Sequence, residues 1–551
     1  MNWIRIPTYL VGIGLSLAAA WLFFPDPRTE AGLTAPPTVK WVPSLDDTEE
    51  FCRFDHPEWR QGQTIEGVEV LESPVCQPDN PYFVASVVKG TNHVTMPTLM
   101  KTRLAMDAVL KDDDLDGDGD PDVIRIKLEV AELNGSTPDG DFLIPGYRIA
   151  PGLQPGLWVF APKMHGMATV DAINLDAPPI LRAPSPPIRV EQGDKVYLTL
   201  ENTHYLPHTI HLHGVDHPYL RADGQGNDGV PITGEKMLMP GEKRTYEIQP
   251  RQPGSMLYHC HVQTDKHMLM GLQGLFIVEE NRPDNWLQTL NVGAGQVRHP
   301  SKASREQFDQ EYDLHFQSLD KERYRPVQEH NDPRLVAKAM NRDYDITDAT
   351  EDYYLLNGRA FPYTLRDSLV VVEPDQKILL RAVNGHPHTL GLHLHGHKTV
   401  AIAADGASLP QPVTRDVQPL APAQRLDLVL DTHDDGLHSY GAGAWLMHDH
   451  AEKSVTTDGV GPGGDLGLVV YRKFLGENGW PKLQGMDLTP LFNEGYYHRQ
   501  VPVWARSKAW EIFSDTAPLP PATLRVILSG LSLGVALTLL FSFWRSWRKA
   551  R

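Results

Sequence analysis

Cysteine is scarce: the 551 residues hold three. A disulfide-stapled scaffold is therefore not available, and the fold must rest on buried apolar surface. Basic charge is also in short supply. Lys and Arg number 51 against 70 Asp and Glu, a formal net charge of −19. That balance argues against nucleic acid as a partner and fits a solvated acidic surface. Long helices are not expected in the body, because 46 prolines and 45 glycines spread along the chain favour short strands and turns. Apolar residues at 41% and charged residues at 22% are the proportions of a globular protein.

The three cysteines sort unequally. Cys52 and Cys76 lie in a polar N-terminal stretch and are candidates for one disulfide. Cys260 stands between His259 and His261, where a metal ligand would stand; the alternative is three free thiols.

Long apolar runs occur at the two ends. Tyr9 to Pro25 reads as an uncleaved anchor, with a signal peptide as the alternative, and defines a segment 1–25. Val526 to Trp544 is a nineteen-residue apolar run within a segment 523–545 expected to be a transmembrane helix. Arg545, Arg548, Lys549 and Arg551 follow it and predict a cytoplasmic C-terminus. The body is then expected on the periplasmic side of a bacterial inner membrane.

Residues 26–154 read as linker and β-rich structure. Ile124, Ile126, Leu128 and Val130 alternate with Arg125, Lys127 and Glu129, which predicts a half-buried strand. The loop before it offers Asp114, Asp116, Asp118 and Asp122 around Gly119, a set of hard oxygen ligands that suits Ca²⁺; an ion-free acidic turn is the alternative. Next comes an internal repeat. Pro187–Asn202 aligns with Leu369–Asn384 at an offset of 182, and the offset carries His211 to His393, His213 to His395 and Asp223-Gly224 to Asp405-Gly406. Each copy reads as a β-sandwich unit, residues 155–285 and 351–475. The charged stretch 286–350 between them reads as a partly helical linker, and 476–522 as a tail.

The repeat also isolates the chemistry. Residues two apart on a strand share a face, so His211 and His213 point one way, and His259 and His261 point opposite to Cys260. Cys260 with His208 and His267 is the thiolate-and-two-imidazole set of a blue copper centre. In the second copy His208 becomes Leu390 and Cys260 becomes Asp449, yet His393, His395, His448 and His450 remain. One face is spared and the other lost. Pooled, the copies offer eight imidazoles, enough for three coppers.

The segments PHTIHLHG, HCH followed by HMLMGL, HLHGH and HDH resemble the four copper-binding segments of the multicopper oxidase family. The resemblance covers roughly half the chain. It implies an all-β protein of two cupredoxin-like Greek-key sandwich domains, here with the extra N-terminal β-rich region and a transmembrane helix at each end. It implies that His208, Cys260 and His267 bind a type 1 copper, His211 and His393 a type 2 copper, and His213, His259, His261, His395, His448 and His450 a binuclear type 3 pair, about four coppers per chain. The activity implied is one-electron oxidation of a reductant coupled to reduction of O₂ to water. Two departures stand out. Five residues, not three, separate His261 from His267, and the axial position falls on Leu272, which has no donor atom, with Met270 or Met268 as the alternative if the longer loop shifts. The blue-copper copy comes first, an order that among two-domain relatives accompanies a homotrimer with each cluster shared between subunits; the long linker offers closure within one chain as the alternative. His204, His217, His386, His388 and His397 crowd the same loops and are read as outer hydrogen-bond partners or solvent-facing groups. A copper nitrite reductase and a non-enzymatic copper electron-transfer protein are the competing readings; the intact second H-x-H and His261 favour the oxidase.

Overall fold

The alternation at Ile124–Val130 forms the middle of a longer strand, Val123–Leu133, in the computed structural model. It describes residues 61–73, 79–136, 143–144, 146–166, 181–292, 307–330, 332–476, 479–483, 488–499 and 538–549. The strand pairs antiparallel with Val109–Asp112 and Leu157–Pro162 and parallel with Lys195–Glu201, which pairs in turn with Lys243–Ile248. A second sheet runs His211–His213, Gly254–His259, Gln273–Glu279, Ile188–Glu191, the last two parallel. These nine strands are the first repeat's domain. The β-rich region before residue 155 thus supplies two of them, and before those lie short helices at Pro81–Lys89 and Met96–Met100.

The second repeat folds the same way. Its larger sheet runs Tyr353–Leu356, Gln310–Leu319, Lys377–Gly385, Arg425–Asp431, Thr399–Ala404, Ala407–Arg415. The smaller runs Val370–Val372, Gly467–Tyr471, Ala444–Asp449, Leu390–Leu394, Val417–Leu420. One buried cluster draws on both, with Phe316, Leu380 and Leu428 from the first and Leu392, Met447 and Val469 from the second. Two sheets sharing one apolar core make a sandwich. The offset of 182 maps Ile188 onto Val370 and Lys195 onto Lys377, and each pair opens equivalent strands.

The charged stretch between the repeats holds helices at Lys321–Glu329 and Pro333–Lys338. It also holds the ten-residue strand Gln310–Leu319, parallel to Lys377–Gly385 just as Val123–Leu133 is parallel to Lys195–Glu201. Tyr312, Leu314 and Phe316 fill the core, while the alternate Glu311, Asp313, His315 and Gln317 are buried as well. Glu311 and Asp313 meet arginines from both domains, and His315 Nε2 faces Gln273 Oε1 of the first at 3.3 Å. Arg189 Nη2 donates to Glu311 Oε1 at 3.0 Å and Asp313 Oδ1 at 2.6 Å, and Arg381 Nε donates to Glu311 Oε1 at 2.6 Å. Glu279 and Asp427 complete this buried network between the domains.

Residues Met1–Trp41 and Leu488–Arg551 form a separate unit. Its described parts are short helical turns at Thr489–Phe492 and Glu494–Tyr497 and a helix over 538–549. Among the described residues no helix is long and apolar enough to cross a membrane. The Tyr9–Pro25 run, both Cys52 and Cys76, and most of Val526–Trp544 lie outside the described residues.

Candidate metal centre

The strand Gly254–His259 ends where the chemistry begins. Cys260 follows it, fully buried, with its N–H bonded to Leu272 O. Its Sγ lies 3.6 Å from His208 Nδ1 and 3.5 Å from His267 Nδ1. Ligands at about 2.0 and 2.3 Å from one ion in a trigonal plane stand about 3.7 Å apart, so the three atoms already have the separations of a shared metal. Burial pushes the Cys260 thiol up to about 12 and holds His267 down to about 3; His208 is depressed further by burial and by His267 and His204. Without a metal the site is a thiol between neutral imidazoles, and a metal must take the thiol proton's place. Leu272 is fully buried beneath the site, its N–H bonded to His267 O.

The remaining nitrogen of His208 is also committed. His208 Nε2 faces His204 Nδ1 at 2.9 Å, and His204 Nε2 faces Glu132 Oε2 at 3.5 Å. Glu132 Oε2 accepts from Trp158 Nε1 at 3.0 Å and from Tyr205 OH at 2.6 Å. The fully buried Trp158 sets its edge against both His204 and His267. With Nδ1 turned to the thiol, His208 donates from Nε2, so the carboxylate fixes the tautomer through His204. His204 is thus an outer partner, as read from the sequence. Glu132 and Trp158 were not singled out there; a polar residue in an apolar strand is the weak signal that pointed to the first.

On the opposite side of the same strand end, four imidazoles converge. His211 and His259 are register partners. His213 Nε2 and His259 Nε2 face each other at 2.9 Å, and His261 lies 5.1 Å from His211, ring to ring. The Nδ1 atoms of His211 and His259 are bonded to Asp228 O and Cys260 O, which leaves Nε2 for a metal. Burial and the neighbouring imidazoles depress His213 to about 4 and His259 to about 3, so both stay neutral ligands.

The second domain repeats this group. His393 pairs with His448 in register, His395 Nε2 faces His448 Nε2 at 3.2 Å, and His450 lies 5.5 Å from His393. His393 Nδ1 and His448 Nδ1 are bonded to Asp416 O and Asp449 O. All eight histidines expected at a cluster therefore occur in two matching tetrads. Among the described residues, no ring of one tetrad contacts a ring of the other.

The comparisons with known proteins agree with this geometry. The sequence model of the multicopper oxidase family matches residues 181–283, a span that holds His208, Cys260, His267 and the whole first tetrad. Over that span the chain is similar to the multicopper oxidase family. Curated relatives include a multicopper oxidase of Staphylococcus aureus, 27% identical over 255 residues, which are 45% of this chain and 46% of the relative. A laccase of Bacillus stratosphericus is 26% identical over 45% of this chain and 49% of its own length. The chain spans about half the length, or less, of the curated relatives it matches. Among solved structures, a blue copper oxidase from Nitrosomonas europaea is 24% identical, with a TM-score of 0.45 over 64% of this chain and 87% of that one. A copper nitrite reductase from Nitrosomonas europaea is 16% identical, with a TM-score of 0.39 over 65% of this chain and 99% of that one.

The acidic loop lies at one edge of the first domain's larger sheet. Asp114, Asp116 and Asp122 each bring a carboxylate oxygen within 4.8 Å of the others. Asp118 is not in that group. Its Oδ2 is buried without a hydrogen bond, and burial with the nearby Asp120 and Asp116 pushes it up to about 6. The parity that sets Asp118 beside Asp116 in sequence is broken by the turn, in which Asp114 accepts from the backbone N–H of Gly117, Asp118 and Gly119.

Proposed function

We propose that this chain is a multicopper oxidase whose type 1 copper binds at His208, Cys260 and His267 and whose trinuclear cluster forms where the first tetrad of one chain meets the second tetrad of another. The observation that carries this is the split of one strand end: Cys260 faces one buried imidazole pair while His259, next to it, faces a tetrad. Bound there, copper supplies one-electron oxidation of a reductant and reduction of O₂ to water. The chain's own part is to hold neutral imidazoles in place, by burial and by Nδ1 bonds to backbone carbonyls, and to connect the two sites through the Cys260–His261 peptide. His211 and His393 take the type 2 ion, and the other six take the type 3 pair.

Sharing between chains, in a homotrimer, is supported by the open second tetrad. The His450 side chain is 53% exposed, and among the described residues no ring of the first tetrad contacts the second. A membrane anchor is supported by the C-terminal apolar run and by helix 538–549, which exposes Leu540, Phe541, Trp544 and Trp547 beside Arg545 and Arg548. The Lys/Arg run after the C-terminal apolar segment supports a periplasmic body. Calcium at Asp114, Asp116 and Asp122 is a structural ion in this reading.

The test is the copper-loaded protein and its Cys260→Ser variant. The wild type should absorb intensely in the red and consume O₂ with a one-electron reductant; the variant should lose both while keeping its other coppers. A wild type without that absorption overturns the assignment.

A further inference from the structure

The second domain has lost the blue-copper ligands, but the place they occupied is not apolar. Asp449 stands where Cys260 stands in the first domain, and two histidines, His386 and His388, converge on it. One ligand atom from each of the three lies within 4.8 Å of the others. His388 Nε2 is 2.9 Å from Asp449 Oδ2, and its Nδ1 is 2.9 Å from Glu351 Oε2. Asp449 is pinned by Gly391 N at 2.9 Å, Ala451 N at 3.1 Å and Ser454 Oγ at 2.8 Å.

His386 is the telling member. It is 1% exposed, and neither of its ring nitrogens has a hydrogen-bond partner. Its Nε2 makes an ion-pair contact with the buried Asp465 Oδ2 at 3.7 Å, beyond hydrogen-bond reach, and that oxygen has no hydrogen bond either. A buried polar group left unpaired is destabilising, so an imidazole in this state points to something that fills the gap. Access exists. His388 and Glu351 line a cavity of about 540 Å³ that also reaches Leu269, two residues from His267.

We propose that His386, His388 and Asp449 form a further metal site, for a divalent cation of the zinc and copper class, with Glu351 as the neighbouring carboxylate. Two imidazoles and one or two carboxylates are a ligand set for such ions, whereas Ca²⁺ takes six to eight oxygens. The ion enters from the cavity, takes Asp449 Oδ2 and His388 Nε2, and gives His386 the partner it lacks. It stands in the second domain where the type 1 copper stands in the first, one residue from both His448 and His450. The site uses none of the eight tetrad imidazoles and stands or falls separately from them.

The experiment uses the copper-loaded full chain equilibrated with Zn²⁺, desalted, and counted by elemental analysis. About one zinc per chain is expected, with an anomalous signal at the zinc edge in a crystal placing it beside Asp449 Oδ2. His386→Ala and His388→Ala should each lose that zinc while keeping the red absorption at Cys260, which reports that the first domain is folded. Should a variant fail to fold, the anomalous map of the unaltered protein decides alone. No zinc retained, or zinc found elsewhere while Asp449 stays hydrogen-bonded to His388, overturns the proposal.

Discussion

Glu132 reaches the type 1 pocket through a single imidazole, His204, and its Oε2 also accepts from Trp158 and Tyr205. A carboxylate behind a ligating histidine makes that histidine a stronger donor and favours the oxidised metal. Glu132→Gln should therefore raise the reduction potential of the copper at Cys260 without abolishing its colour. Spectroelectrochemical titration measures this, and an unchanged potential would show that the chain His208–His204–Glu132 carries no influence. A second residue-scale prediction concerns pH. Burial chiefly, and the neighbouring Asp122, push Asp194 up to about 8 against an ordinary value of 3.8. An acid whose folded pKa is raised binds its proton more tightly when folded, so its contribution is full below about 4 and is lost as pH rises toward 8. The unfolding midpoint should fall across that window, and Asp194→Asn should flatten the fall. At this scale the grouping of Cys260 and the histidines was legible, because strand parity and the Cys-to-Asp replacement sorted them by face. Glu132 and Glu351 were not, since each meets its histidine across 72 and 37 residues of chain.

The strand Gln310–Leu319 shows where pattern reading stops. Its alternation of Tyr312, Leu314 and Phe316 with Glu311, Asp313 and His315 is regular, but both faces are buried. A charged face reads as solvent-facing, and the charge density suggested helix. What buries it is the other domain, whose Arg189 lies 122 residues away in sequence. Arg189 and Arg381 meet four carboxylates there, Glu279, Glu311, Asp313 and Asp427. Breaking a buried ion network from one side leaves an uncompensated charge and costs about 3–5 kcal/mol. Arg381→Ala should lower the urea midpoint accordingly, and a shift within error would mean that water reaches the network. By contrast, the paired strands around each tetrad followed from the repeat, because the 182-residue offset carries His211 and His213 to His393 and His395 and the H-x-H frame recurs at His259 and His261 and at His448 and His450.

In the whole molecule, one chain holds a complete thiolate site and two half-built imidazole sites. The halves match in detail: His213 with His259 corresponds to His395 with His448, each pair joined Nε2 to Nε2. Among the described residues no ring of one tetrad contacts a ring of the other, and in the proposed reading a second copy completes the three-copper cluster. The repeat revealed that the halves were equivalent, but not how the domains set them, since the domain arrangement is held by the buried network and not by either motif. Native mass spectrometry of the copper-loaded protein, counting chains and coppers in one particle, addresses this most directly. The account predicts a closed oligomer, a trimer, carrying about four coppers per chain that falls to about one per chain on dissociation, with the red absorption retained. A monomer that holds the full complement, or an oligomer that holds a single copper per chain, would contradict it.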